Sequence, residues 1–173
     1  GVNLDKFTLK TSQTDGFQIG MSLGDMWWYK NHMGGLDIFT QLARTDQRWR
    51  LHIRGNHEGG DYNPLMYQYY LKSRGIEDKV NLYPWTDDMN GWYERIDYLL
   101  HPGMKEAFCY EVGEAMAKGI KPIVNDFFGS EAILPEWAKY QTHDQAIAMF
   151  GIRKSPESYR NWIQEHYSLA IIL

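Results

Sequence analysis

An α/β fold, a single Rossmann-like domain with a mostly parallel sheet and helices on both faces, is predicted by two features of this chain. Short apolar stretches of strand character alternate with longer segments at helical spacing, and Gly24, Gly55, Pro84, Pro102 and Asn125 punctuate the carboxyl ends of the strands. Parallel neighbours need crossover connections, and these are right-handed, so the helices distribute over the two faces of the sheet. Ligands of such sheets sit outside the carboxyl ends of the strands, where those five residues fall.

Each element has its own signal. Phe17, Ile19, Met21 and Leu23 alternate with Gln18, Gly20 and Ser22 and stop at Gly24, which reads as the first strand. Leu36, Phe39, Leu42 and Ala43 recur at helical spacing, and Leu51 and Ile53 then alternate with Arg50, His52 and Arg54 before Gly55. The glycine-rich stretch from Gly55 to Gly60 reads as a loop tip. Asn63 to Arg74 reads as a helix with Leu65, Met66, Tyr69 and Tyr70 on one side, closed by Gly75 and followed by a strand from Val80 to Tyr83. Met89 to Arg95 is a short helix and Ile96 to His101 a strand. Tyr110 to Lys118 is a helix ended by Gly119, with Val112, Ala115 and Met116 toward the sheet, and Pro122 to Asn125 is a buried strand. Ser155 can cap a final helix with Pro156 at its first position and Tyr159, Trp162, Ile163, His166 and Tyr167 in a stripe. The expected organisation is an entry segment over 1–15, the Rossmann-like domain over 16–155, and a helix over 156–173 that packs back on the domain or toward another one.

Composition removes several function classes. With 173 residues, 43% hydrophobic and 23% charged, the chain can bury a real core in one domain. Its formal charge of −4 lacks the basic excess on which generic nucleic-acid binding relies. One cysteine, Cys109, cannot form an internal disulfide, which makes a reducing cytoplasm the simplest compartment. The histidines lack ligand spacing, Cys109 has no C-x-x-C partner, and Asp87-Asp88 reads as a helix cap, so no metal site is expected. Seven Trp, twelve Tyr and seven Phe make the chain unusually aromatic, and Trp27-Trp28-Tyr29 reads as a stacking surface, an interface or a cover of the sheet.

The chemistry concentrates in Glu106-Ala-Phe-Cys-Tyr-Glu-Val-Gly-Glu114-Ala-Met and the following Ala117-Lys-Gly119-Ile-Lys-Pro122-Ile-Val124. Glu106 stands beyond a strand end and Glu114 inside the next helix, beside its core stripe. Carboxylates there can accept from sugar hydroxyls, while the helix N-terminus attracts a diphosphate.

This stretch resembles the C-terminal signature of the group 1, or family 4, retaining nucleotide-sugar glycosyltransferases with the GT-B fold, roughly S/G-x-x-E-G-F-G-x-x-x-x-E-A-M-A-x-G-x-P-V-I. Gly1-Val-Asn-Leu-Asp-Lys-Phe7 resembles the family's interdomain segment N-G-V-D-x-x-x-F, Gly35-Leu-Asp-Ile-Phe its K-G-x-D-x-L helix start, and Leu51-His-Ile-Arg-Gly55 its L-x-I-x-G strand. Gly129-Ser-Glu131 resembles the loop after the fifth strand.

The resemblance implies the C-terminal, donor-binding half of a two-domain enzyme that transfers a hexose from a UDP- or GDP-sugar to a glycan or lipid-linked acceptor. It implies products such as polysaccharides, no metal cofactor, an acceptor held by a separate N-terminal domain, and room for peripheral membrane association of the parent enzyme. A fragment of this kind would be inactive alone. Glu114 would bind the ribose hydroxyls and Glu106 the transferred sugar. The N–H groups of Phe108, Cys109 and Tyr110 would face the sugar and diphosphate, with Gly24 and Lys30 nearby, and the backbone from Leu82 to Trp85 would flank the base. The chain departs from the pattern where the family carries an Arg and a Lys after the first strand: here Gly24 is followed by Asp25, and Lys30 or His32 must substitute. Two other classes stay open, a scaffold that has lost donor binding and an unrelated Rossmann-like enzyme such as an epimerase or dehydrogenase. The lack of an early glycine fingerprint counts against the latter.

Overall fold

The computed structural model describes residues 1–60 and 63–169, with only the backbone for 57–59. Six strands run parallel in the order β3-β2-β1-β4-β5-β6. They are β1 (Gln18–Met26), β2 (Arg50–Gly60), β3 (Val80–Tyr83), β4 (Tyr98–His101), β5 (Lys121–Asn125) and β6 (Lys139–Tyr140). The crossovers carry α1 (His32–Thr45), α2 (Pro64–Arg74), α3 (Met89–Tyr93) and α4 (Tyr110–Ala117), while α5 (His143–Met149) and α6 (Pro156–Tyr167) follow β6.

Strands flanked on both faces must be apolar on both sides, and the core accordingly divides into two clusters. Ile19, Met21, Leu51 and Ile53 pack against Leu36 and Phe39 of α1 on one face. Leu99 and Val124 pack against Val112, Ala115 and Met116 of α4 on the other, joined by Tyr159 and Ile163 of α6. Within residues 1–15, Val2 and Phe7 are buried in this second cluster, and Val2 bridges to Ser168 after α6. α6 therefore lies back on α4.

Three details differ from the sequence reading. β2 does not end at Gly55: it runs through Gly60, pairing Met26 with Gly60 across register shifts between the two strands at Ser22/Gly24 and Asp25/Met26. α2 buries Tyr67 and Leu71, whereas Leu65, Met66 and Tyr69 are 77%, 71% and 75% exposed. Its apolar residues cover more than one face, so spacing alone did not identify the packed one. β6 and α5 escaped the pattern because a two-residue strand has no periodicity. Thr142, however, forms a capping box with Gln145 that marks where α5 begins.

Candidate functional site

The strand order reverses direction between β1 and β4, and the loops that leave a sheet on opposite faces open a crevice at such a point. A cavity of about 400 Å³ lies there, lined by Gly24 of β1, Lys30, Arg54 of β2, Trp85, Glu111 and Glu114 of α4, with Lys6, Ser22 and Tyr110 at its edges. Gly24 takes φ +59° beside Trp85, a left-handed conformation that favours glycine. A larger apolar cavity of about 630 Å³ opens between the starts of α1 and α2, lined in part by Trp28, His32, Met33 and Met66, and none of the acidic residues lines it. The acidic residues of α4 line the smaller one.

Five predicted residues, Gly24, Lys30, Trp85, Tyr110 and Glu114, come together in the cavity. Glu114 accepts from the Tyr93 hydroxyl at 3.0 Å, which fixes its carboxylate. Burial pushes its pKa up, opposed by that hydrogen bond and by Lys6. Glu106 stands behind Lys30 and forms an ion pair with it, the two side chains being 14% and 17% exposed. Burial works against the Lys30 ammonium, but the hydrogen bond and charge of Glu106 outweigh it and raise its pKa. Asp25 accepts from Asn56 Nδ2 at 2.9 Å and does not line the cavity.

The other predicted positions lie elsewhere. The Leu82 side chain is 40% exposed on β3 and does not line the cavity. The Phe108 ring packs edge-on to Tyr110 and Tyr167, at 4.9 Å and 5.3 Å between centroids. Cys109 is buried as the N-cap of α4, with Sγ 3.7 Å from His101 Nε2, and burial pushes its thiol well up. The Tyr110 N–H is already committed to Phe108 O at 2.8 Å, so it is not free to meet a ligand in this conformation. Trp27 and Trp28 are 44% and 66% exposed, which removes sheet cover from their possible roles.

Three site residues were missed. Arg54 is 3% exposed; its Nε and Nη2 donate to Thr86 O, its Nη1 donates to Ser22 Oγ at 3.1 Å, and its guanidinium lies 3.8 Å over the Trp85 ring. Burial lowers its pKa, yet a guanidinium stays charged at any ordinary pH. The signal was available, because an Arg within an interior parallel strand has no water to reach. Glu111 lies three residues before Glu114 and so shares its helix face, a relation the spacing shows. Burial raises its pKa, opposed by its own backbone N–H and by the charges of Lys30 and Arg54. His101 at the end of β4 is 3% exposed, with Nε2 3.6 Å from Glu106 and Nδ1 3.5 Å from Glu111. Burial lowers its pKa to about 4, so the imidazole is neutral at physiological pH.

His101, Glu106 and Glu111 bring one ligand atom each within 4.8 Å of one another. Their nearest approaches, however, are to opposite ring nitrogens, and Lys30 already neutralises Glu106. The arrangement is better suited to a charge network than to one shared ion.

The family model for glycosyl transferases group 1 matches residues 10–165. Two curated relatives align with part of the chain. An uncharacterized glycosyltransferase of Haemophilus influenzae is 33% identical over 104 residues, covering 60% of this chain and 28% of its own length. The lipopolysaccharide 1,6-galactosyltransferase of Salmonella typhimurium is 34% identical over 94 residues, covering 52% and 25%. The chain thus spans about a quarter of the length of these relatives. Among solved structures, the C-terminal domain of a glycosyl transferase group 1 family protein (LpcC) from Francisella tularensis superposes with TM-score 0.77 at 15% identity, covering 98% of this chain and all of that one. A point mutant of S. aureus TarM, solved in complex with Fondaparinux, alpha-GlcNAc-glycerol and UDP, gives 0.78 at 16% identity and covers 95% and 35%. Both share its Rossmann-like fold, and no helix among the described residues is long and apolar enough to cross a membrane. With the family model spanning nearly the whole domain, the chain belongs to the group 1 glycosyltransferases.

Proposed function

We propose that this domain binds the nucleotide-sugar donor of a longer, retaining glycosyltransferase in the cavity between β1 and β4. The observation that carries the reading is the convergence of Glu114, Trp85, Lys30 and Arg54 on one crevice at the switch point. Glu114, held by Tyr93, would accept from both ribose hydroxyls, and Trp85, backed by Arg54, would flank the base. Lys30 and Arg54 would take the place of the cations that the family carries after its first strand. Among the described residues, the N–H groups of Phe108 and Cys109 donate to nothing, and they lie at the start of α4, where the helix dipole favours an anion. Glu106 would meet the transferred hexose.

In this reading, preorganised protein donors stabilise the departing diphosphate, and no metal is required. The acceptor, a glycan or lipid-linked saccharide, would enter from a second domain, and a lone donor domain would not turn over. The named relative in lipopolysaccharide synthesis and the UDP-bound neighbour favour this substrate class. The scaffold reading keeps one specific support, the engagement of Lys30 by Glu106.

Calorimetric titration with UDP, GDP and ADP decides between them. One diphosphate is expected to bind at ~0.1–1 mM, about −5.5 to −4 kcal/mol, and Glu114→Ala to weaken it at least tenfold. A folded sample that binds none of the three supports the scaffold, and unchanged binding by the variant removes the ribose role.

A further inference from the structure

We propose that Glu111 tunes the site to release its spent nucleoside diphosphate more readily than its nucleotide sugar, by presenting its carboxylate to the terminal phosphate. This rests on the donor-binding reading above. The position of Glu111 is the first support. It stands in the first turn of α4, at the end of the helix that attracts anions, and lines the same cavity as Lys30, Arg54 and Glu114. A phosphate drawn to the start of α4 would meet this carboxylate.

The charges around it are the second support. Lys6, Lys30 and Arg54 line the cavity together with Asp87, Glu111 and Glu114, and Lys30 is already matched by Glu106. The His101 imidazole, 3.5 Å from the Glu111 carboxylate, is neutral at physiological pH and brings no cation. Three cations therefore face four carboxylates, and a diphosphate enters without any surplus of positive charge. Each negative charge it brings costs more than the one before.

Transfer changes that charge. The bond between the anomeric carbon and the phosphate oxygen breaks and leaves its electron pair on that oxygen. The acceptor hydroxyl forms the new bond, and its proton goes to the phosphate oxygen or to water. The diphosphate of the donor carries two negative charges, whereas the freed diphosphate has one further ionisable oxygen. A carboxylate facing that oxygen repels the product more than the donor.

The test compares UDP with UDP-glucose, and GDP with GDP-mannose, by calorimetry at pH 7.5 on the wild-type chain, Glu111→Gln and Glu111→Asp. Thermal melts establish that each variant is folded. Glu111→Gln is expected to tighten the free diphosphate at least about tenfold more than the sugar nucleotide, the effect of one charge at roughly 10 Å or closer in an effective dielectric of about 20. Glu111→Asp is expected to keep the wild-type ratio, since it keeps the charge. An unchanged ratio in folded Glu111→Gln, as a carboxyl held neutral by burial would give, or equal tightening of both ligands, overturns the proposal while leaving donor binding intact. A wild-type chain that binds none of the four ligands defeats the donor-binding reading itself, and this inference with it.

Discussion

Lowering the pH from 7 to 5 is expected to destabilise the folded chain through two buried histidines, and His101→Gln is expected to remove about half of that effect. His101 and His52 each have a folded pKa of about 4 against an ordinary 6.5, in both cases mainly because burial disfavours the imidazolium. The contacts of His52 fit the neutral ring: Nε2 lies 2.7 Å from Gln18 Oε1, which can only accept, leaving Nδ1 to accept from the Tyr83 hydroxyl at 2.9 Å. Between pH 6.5 and 4 the unfolded chain binds more protons than the folded one, so stability falls as pH falls through that window. At about 1.36 kcal/mol per pH unit, the stretch from 6.5 to 5 costs about 2 kcal/mol for each histidine. Asp46 and Glu94, held down to about 2 by hydrogen bonds and opposite charge, lose their contribution only below the ordinary carboxylate range and do not confuse this window. Glu111 and Glu114, whose pKa values burial raises, act in the opposite sense, and comparing variant with wild type cancels most of their effect. Urea unfolding at pH 7, 6 and 5 measures the slope. A His101→Gln chain whose stability still falls as steeply as the wild type would refute the assignment of a neutral, desolvated His101.

Other substitutions probe the remaining supports. Tyr93→Phe removes the hydroxyl that donates to Glu114 and to Glu111 O, both at 3.0 Å, and is expected to cost roughly 1–3 kcal/mol in urea unfolding; a change under about 0.5 kcal/mol would mean that the hydroxyl contributes nothing. Gly119→Ala would force a Cβ to within 2.5 Å of Pro156 Cβ at φ +78°, whereas at Gly129, with φ +92°, a Cβ meets nothing within 4 Å. The first is therefore expected to cost ~2 kcal/mol or more and the second only about 1 kcal/mol, and equal thermal shifts would contradict the contact between α6 and the end of α4. Leu71→Ala is expected to lose about 2–3 kcal/mol and Leu65→Ala under about 0.5 kcal/mol, because only Leu71 is buried; the reverse order would restore the face of α2 that its spacing first indicated.

What was legible in the chain is what local spacing encodes. The step from Glu106 to Glu114 spans one strand end and one helix start, yet only Glu114 lines the cavity, with Glu106 paired to Lys30 behind it. The caps at Asp88 and Ser155 are local in the same sense, each side chain bonding an N–H three residues ahead. What stayed hidden depends on which strands become neighbours. Arg54 reaches the site only because β2 lies beside β1, which places its guanidinium against Ser22 and the carbonyl of Thr86, thirty-two residues away from each. Periodicity could mark Arg54 as alternating with Ile53 but not say that both faces of that strand are covered.

The same reasoning accounts for the missing cations after β1. A diphosphate site needs positive charge at a place, not at a sequence position, and two elements can supply it from different directions. Here one cation, Lys30, comes from the loop after β1 and the other, Arg54, from the adjacent strand, already fixed by three hydrogen-bonding contacts before any ligand arrives. A preorganised guanidinium loses less side-chain entropy on binding than a loop arginine, which must be ordered first. The carboxylates around it, Asp87, Glu111 and Glu114, favour its charge in a buried setting and in the proposed donor site would at the same time oppose an incoming anion. If the donor-binding proposal holds, release of the product without tight retention would follow from that opposition, and the influence of Glu111 on Arg54 would matter as much as the two glutamates that the motif displays.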